Sequence, residues 1–327
     1  MTDKPTRRCY VAGHRGLVGS AIVRELVNAG YPEPIVRTRQ ETDLMDQAAV
    51  HQLFREERPE VVFFAAAKVG GISANNTYRW DFIHENLVIQ SNVLGAALES
   101  GAERVVFLGS SCIYPRLSPQ PIREEYLLTS ELEGTNEPYA IAKIAGVKMV
   151  ESASRQYGKK WVSLMPTNLY GPNDNFDLNT SHVLPALMRK FHEAKELRDA
   201  GREAVVTLWG HGTARREFLH VDDAARACIM MMETGATGLY NVGSGEDLPI
   251  RDLAALIADA VGYDGPVEWD TSKPDGTPRK LLDSSRIREL GWAPRISLEE
   301  GVAGTYRWFV ENEHRYRGEA TMVEAAT

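Results

Sequence analysis

Cysteine is scarce in this chain: Cys9, Cys112 and Cys228 are the only three among 327 residues. They lie far apart with no CxxC pair, which excludes a disulfide framework and a zinc site of the usual spacing and points to a reducing compartment. No apolar run approaches the ~20 residues that a membrane helix needs. The first residues, Met1-Thr-Asp-Lys-Pro-Thr-Arg-Arg, lack the apolar stretch of a signal peptide. A cytoplasmic chain with no membrane partner is therefore expected. Positive charge is also short, with 37 lysines and arginines against 45 aspartates and glutamates and a net charge of −8. This excludes a general nucleic-acid partner but leaves room for a local basic pocket holding a phosphorylated ligand.

What is present is an ordinary globular composition, 43% hydrophobic and 25% charged. Short apolar strands are expected at Cys9-Tyr-Val-Ala, Ile35-Val-Arg, Val61-Val-Phe-Phe, Val105-Val-Phe-Leu and Trp161-Val-Ser-Leu-Met. Between them, sets such as Val18, Ile22 and Leu26, or Val88, Val93, Ala96 and Ala97, have helical spacing. Alternation of this kind predicts an α/β fold: a Rossmann-type doubly wound parallel sheet with a smaller, mixed α/β C-terminal substrate lobe. Residues 1–170 would form the cofactor domain, with 217–245 returning to it. Residues 171–216 and 246–318 would form the substrate lobe, and 319–327 a frayed tail. Further helices are expected at Leu184–Ala200, Asp222–Glu233, Ile250–Val261 and Ser284–Leu290, and strands at Val205–Trp209 and Leu239–Val242.

Directly after the first strand stands Gly13-His14-Arg15-Gly16-Leu17-Val18-Gly19, opening the first helix. Glycines there permit a tight turn and a close approach of backbone N–H groups to a pyrophosphate, which the helix N-terminus also attracts. The spacing is GxxGxxG, so a glycine-rich turn without a ligand is the plain alternative. Arg39 ends the expected second strand, where an acidic residue suits NAD; with Arg15 in the glycine loop it favours the 2′-phosphate of NADP(H), two merely solvated arginines being the plain alternative. Asp43 and Leu44 stand where a contact to adenine or ribose is another possibility.

Tyr139-Ala-Ile-Ala-Lys143 places a phenol and an ammonium one helical turn apart. An ammonium beside a phenol is expected to lower its pKa, making Tyr139 an acid for a carbonyl or a base for an alcohol. Gly109-Ser110-Ser111 follows a strand, where open α/β sheets carry their sites, and the Ser110 hydroxyl could bond a substrate oxygen. Cys9, Cys112 and Cys228, taken singly, read as small buried hydrophobes. His220, beside Asp222 and Asp223, invites a metal or triad reading as well as a structural one.

The glycine loop, Ser110 and the Tyr139/Lys143 pair resemble the extended short-chain dehydrogenase/reductases that modify nucleotide sugars. Longer strings narrow the likeness: Ala65-Ala-Ala-Lys-Val-Gly-Gly-Ile, Gly109-Ser-Ser-Cys-Ile-Tyr-Pro, Asn136-Glu-Pro-Tyr-Ala-Ile-Ala-Lys, Pro166-Thr-Asn-Leu-Tyr-Gly-Pro, Arg216-Glu-Phe-Leu-His-Val-Asp-Asp and Lys273-Pro-Asp-Gly-Thr-Pro-Arg-Lys. They are similar to those of the NADPH-dependent epimerase/reductases that turn GDP-4-keto-6-deoxy-D-mannose into GDP-L-fucose, from about residue 8 to 318.

The resemblance implies epimerisation at C3 and C5 of the sugar, then hydride reduction of the C4 ketone. It implies Cys112 as base, His182 as acid, Lys143 on the nicotinamide ribose, and the structural reading of His220, so that no metal site is expected. It also puts Ala66, Leu108, Gly109, Ser111, Pro166, Thr167, Asn168, Leu169 and His182 around the cofactor. Arg216 and the Arg279-Lys280 pair offer cations for a diphosphate, and the family places Arg216 and Lys280 there. Asn168, Val183, Leu187, Lys190 and Trp209 would line the substrate pocket, with Asp275 on a sugar or guanine group. A homodimer built on two helices per subunit is implied as well. The competing readings are another nucleotide-sugar epimerase/reductase of this family, such as a UDP-sugar 4-epimerase with NAD, and a non-catalytic NADP-sensing protein.

Overall fold

The structure is a computed structural model that describes residues 6–273 and 276–313, the side chains of Ile72 and Ser73 aside. Asp275 and the tail 319–327 lie outside the described residues. In the first half, β1 (Cys9–Ala12), α1 (Leu17–Asn28), α2 (Gln47–Glu57), β2 (Val61–Phe64), α3 (Ile72–Thr77), α4 (Arg79–Glu99) and β3 (Arg104–Leu108) follow in turn. Next come α5 (Glu137–Tyr157), β4 (Lys160–Pro166), β5 (Asn168–Tyr170), α6 (Val183–Asp199), β6 (Val206–Trp209), β7 (Arg215–His220), α7 (Val221–Thr234) and β8 (Gly238–Val242). The chain ends in β9 (Asp247–Pro249), α8 (Ile250–Val261), β10 (Val267–Asp270), β11 (Arg279–Lys280), α9 (Ser285–Glu289) and α10 (Leu298–Glu311).

The main sheet has the order β1-β2-β3-β4-β8, with every pair parallel. Its strands are apolar on both sides because both sides are covered. Val61 and Phe63 face a core shared with Ile22 and Leu26 of α1 and Cys228 and Met231 of α7. Val62 and Phe64 face the opposite core, with Phe54 of α2, Val93 of α4 and Val147 of α5. Helices on both faces make the sheet doubly wound, as expected.

One expected strand is nearly lost. Ile35-Val-Arg is reduced to a single bridge in which Ile35 exchanges backbone bonds with Cys9 and Val11 at 2.8 and 3.0 Å. Pro34 has no N–H to extend the ladder. Beyond the bridge Arg37 turns to Glu57, and Thr38 gives its N–H and hydroxyl to Glu41 at 2.7 and 2.8 Å.

A third core gathers Leu187, Met188 and Phe191 of α6, Ile257 of α8, Val302 and Phe309 of α10, and Leu208 of β6. Around it β6 pairs with β10, while β11, β7 and β5 run parallel and β9 joins β7 antiparallel. No described helix is long and apolar enough to cross a membrane.

Candidate active site

The glycine loop after β1 and Gly109-Ser110 after β3 leave the carboxyl ends of parallel strands, where an open α/β sheet offers a crevice. The loop after β1 is shaped by its glycines. Gly13 has φ +86, and a Cβ there would stand 2.8 Å from the backbone of Ala66 at the end of β2. At Gly19 a Cβ would sit 2.1 Å from the Gly13 carbonyl. Gly16 caps α1 without a side chain, so the first N–H groups of α1 are left to a ligand. A loop folded this tightly on its own backbone, at an uncapped helix N-terminus, fits a pyrophosphate.

Farther along this edge, Arg39 is exposed and pairs with Asp43 at 3.3 Å, while Asp43 also accepts from the Met45 N–H at 3.0 Å. An exposed arginine held in this way can turn to an added phosphate. Leu44 packs into the core beside α2 and α4. Thr167 and Asn168 both donate to the Glu217 carbonyl, at 3.1 and 2.8 Å, tying the segment after β4 to β7.

Tyr139 and Lys143 lie on the inner face of α5, 9% and 3% exposed. Lys143 donates to the Leu108 carbonyl at 2.8 Å and stands 5.0 Å from the centre of the Phe107 ring. Burial lowers its pKa to about 7. The expectation that Lys143 lowers the Tyr139 pKa needs correcting. Burial pushes the phenol above its usual range, the nearby Cys112 raises it further, and a hydrogen bond with Ser110 opposes both. Taking a phenolate out of water dominates at Tyr139, and Lys143 is not among the groups that offset it. A protonated Tyr139 is the form that hands a proton to a reduced ketone.

Ser110 ends the segment after β3 and accepts the Cys112 N–H at 3.3 Å, which opens a short 3₁₀ turn. Half-buried, Cys112 packs against the small cluster formed by Ala74, Phe82 and Tyr139. By contrast, Cys9 and Cys228 are 2% and 1% exposed in the core. Lys280 brings its Nζ to 4.0 Å from the Cys112 Sγ. Arg216 bonds the carbonyls of Arg215 and Thr277 at 2.8 and 2.6 Å, and the Cys112 sulfur acts on its charge. Arg279 does not join them, because it and Arg215 are both engaged by Asp247. The expected Arg279-Lys280 pair is thus split, since neighbours on a strand point to opposite faces.

His182 is the exposed N-cap residue of α6, and the protein gathered around it lowers its pKa by desolvation. Its approach is fixed by a device that sequence reasoning passed over. The Gly71 N–H donates to the Thr180 carbonyl at 2.9 Å, and a Cβ on Gly71 would meet the Ser181 carbonyl at 2.7 Å. The Gly70-Gly71 pair quoted above was the available signal. Asp177 adds a turn by accepting the Thr180 N–H at 3.0 Å.

Lys190, on α6, donates to the Thr207 carbonyl at 3.0 Å, and Trp209 is 63% exposed with Lys273 over its ring at 5.7 Å. Val183 is half-buried, whereas Leu187 is 5% exposed within the third core. His220 caps α7 by accepting the Asp222 N–H at 3.3 Å.

A doubly wound sheet, a glycine cradle after its first strand and a buried tyrosine/lysine pair define a dinucleotide-dependent enzyme of the short-chain dehydrogenase/reductase class. The chain belongs to the NAD dependent epimerase/dehydratase family, whose model matches residues 9–243. A GDP-L-fucose synthase of Escherichia coli (strain K12) is 55% identical over 322 residues, covering 95% of this chain and 99% of that one. A GDP-mannoheptose C4 reductase from Campylobacter jejuni with NADP bound superposes with TM-score 0.86 at 38% identity, covering 93% and 98% of the two chains. A GDP-L-fucose synthetase from Naegleria fowleri bound to NADP gives TM-score 0.86 at 27% identity, covering 96% and 97%.

Proposed function

We propose that this enzyme converts GDP-4-keto-6-deoxy-D-mannose to GDP-L-fucose, inverting C3 and C5 and then reducing C4 with NADPH. The observation that carries this reading is the place of Cys112 against the cluster that holds Tyr139, near enough to act on the phenol's charge. C3 and C5 are one bond from the ketone carbon, so a base for their protons must stand beside the group that polarises the ketone.

NADP(H) fits the glycine cradle, with Arg39 for its 2′-phosphate, and when bound it supplies the hydride that reduces C4. The Cys112 thiolate takes the proton from carbon, and the electron pair moves onto the ketone oxygen as an enolate. Tyr139 and Ser110 hold that oxygen by hydrogen bonds. His182, as imidazolium, returns a proton to the opposite face, and the same exchange at the second carbon completes both inversions. In the reduction Tyr139 gives its proton to the C4 oxygen. Arg216 binds the diphosphate, since guanidinium matches phosphate oxygens, with Trp209 and Lys190 beside the nucleotide.

The exposed apolar side chains of Leu87 on α4 and Ile141 and Met149 on α5 support a homodimer through these two helices. A cytoplasmic location suits the reduced cysteines. Gly19→Ala is expected to lower NADPH affinity roughly tenfold or more, since overpacking costs about 1–3 kcal/mol, as a fluorescence titration would read. The reading itself is tested by giving purified protein NADPH and GDP-4-keto-6-deoxymannose. NADPH oxidation with release of GDP-fucose is expected, and no consumption of NADPH would sink it.

A further inference from the structure

Lys280 is expected from its family to bind the nucleotide diphosphate, yet its geometry turns it elsewhere. Strand β11 is two residues long and pairs in parallel with β7, Arg279 opposite Arg215 and Lys280 opposite Arg216. Paired residues on neighbouring strands share a face, and successive residues alternate. Arg215 and Arg279 accordingly reach one carboxylate, Asp247, whose side chain is 3% exposed. Arg216 and Lys280 share the other face, and it turns towards Cys112.

There the two cations divide. Arg216 has donated to two carbonyls, at 2.8 and 2.6 Å. Lys280 makes a single polar contact among the described residues, Nζ to the Cys112 Sγ at 4.0 Å. We infer that Lys280 is the counter-ion of the Cys112 thiolate, a positioning residue for the proton-abstracting step rather than a diphosphate ligand. The inference rests on the proposed epimerisation.

Its chemical sense follows from the proton count. Each inversion leaves Cys112 protonated and His182 deprotonated, so the sulfur must lose its proton to solvent before the second inversion begins. Only the thiolate accepts a carbon-bound proton, so the charged sulfur must form twice in each turnover. An ammonium in contact with it stabilises that charge both times. Arg216, whose Nη1 bonds two carbonyls, adds a second positive charge near the sulfur.

The test uses the full chain and iodoacetamide, an uncharged reagent that alkylates thiolates and is not steered by charge. Cys9 and Cys228 are 2% and 1% exposed, so peptide mass spectrometry reads Cys112 against two internal controls. Lys280→Met is expected to slow Cys112 alkylation at pH 7 by about three- to tenfold, the range for a half-exposed charge partner. Lys280→Arg, which keeps the charge, should stay within about twofold of wild type. In the same variants, solvent deuterium entry at C3 and C5 should slow in Lys280→Met with KM for the GDP-sugar little changed. If Lys280→Met loses its thermal transition, Lys280→Gln is scored by the same comparison. Unchanged alkylation together with a raised KM would return Lys280 to the diphosphate and overturn the inference. A wild-type enzyme that fails to oxidise NADPH with the substrate overturns the proposed function instead, a result the alkylation rates do not depend on.

Discussion

Cys112→Ser is expected to lose epimerisation by about 10²–10⁴-fold while retaining reduction of the C4 ketone, the loss typical of removing a positioned general base. Serine keeps roughly the size and leaves the Ser110 bond to the residue-112 N–H intact, but its hydroxyl, unlike a thiol, yields almost no anion at neutral pH to take a proton from carbon. The cradle, Tyr139 and Lys143 are untouched, so NADPH should still be consumed. The product should be a GDP-6-deoxyhexose whose C3 and C5 are not inverted, which chromatography and proton NMR distinguish from GDP-fucose. Equal loss of both activities would count against Cys112 as base and give it a purely structural place beside Tyr139.

Lys143→Met is expected to lose reduction by about 10²–10⁴-fold and, separately, to change how stability follows pH. The amine is 3% exposed, bonds one carbonyl, and has its pKa lowered to about 7 by burial against an ordinary 10.5. Between those values the unfolded chain carries a proton on this lysine that the folded chain does not. Wild-type stability therefore gains from rising pH across that window, by at most about 1.4 kcal/mol per unit from this group. Below pH 7 both states are protonated and the contribution levels off. Methionine removes the titration, so wild type should gain on Lys143→Met as pH goes from 7 to 10 in thermal melts. Parallel melting curves for the two proteins would mean that Lys143 is not held under this strain.

The sheet was legible because its strands are short and apolar on both sides, as with Val61 to Phe64. Ile35-Val-Arg reads alike, but Pro34 withholds an N–H from the ladder and the pull on Arg37 comes from the distant Glu57. Helix α10 carried a readable start in Ser297-Leu-Glu-Glu300, whose capping box forms with bonds of 3.2 and 3.3 Å, yet it was passed over.

In the site, residues tied to one strand end or one helical turn were legible: Gly13, Ser110, Tyr139, Lys143. What depends on pairing across the fold was not. Nothing local in Pro278-Arg-Lys-Leu says that Lys280 shares a face with Arg216, since that follows from the register of β11 on β7. Nor does spacing reveal that burial outweighs the ammonium at Tyr139, because desolvation depends on everything packed around α5.

The central claim is that one site inverts two carbons beside a ketone and then reduces the ketone itself. Turnover in D₂O with unlabelled NADPH, read by NMR of the product sugar, tests this most directly. GDP-L-fucose carrying deuterium at C3 and C5 and protium at C4 is the expected result. A reduced sugar with no deuterium at C3 or C5 would contradict it.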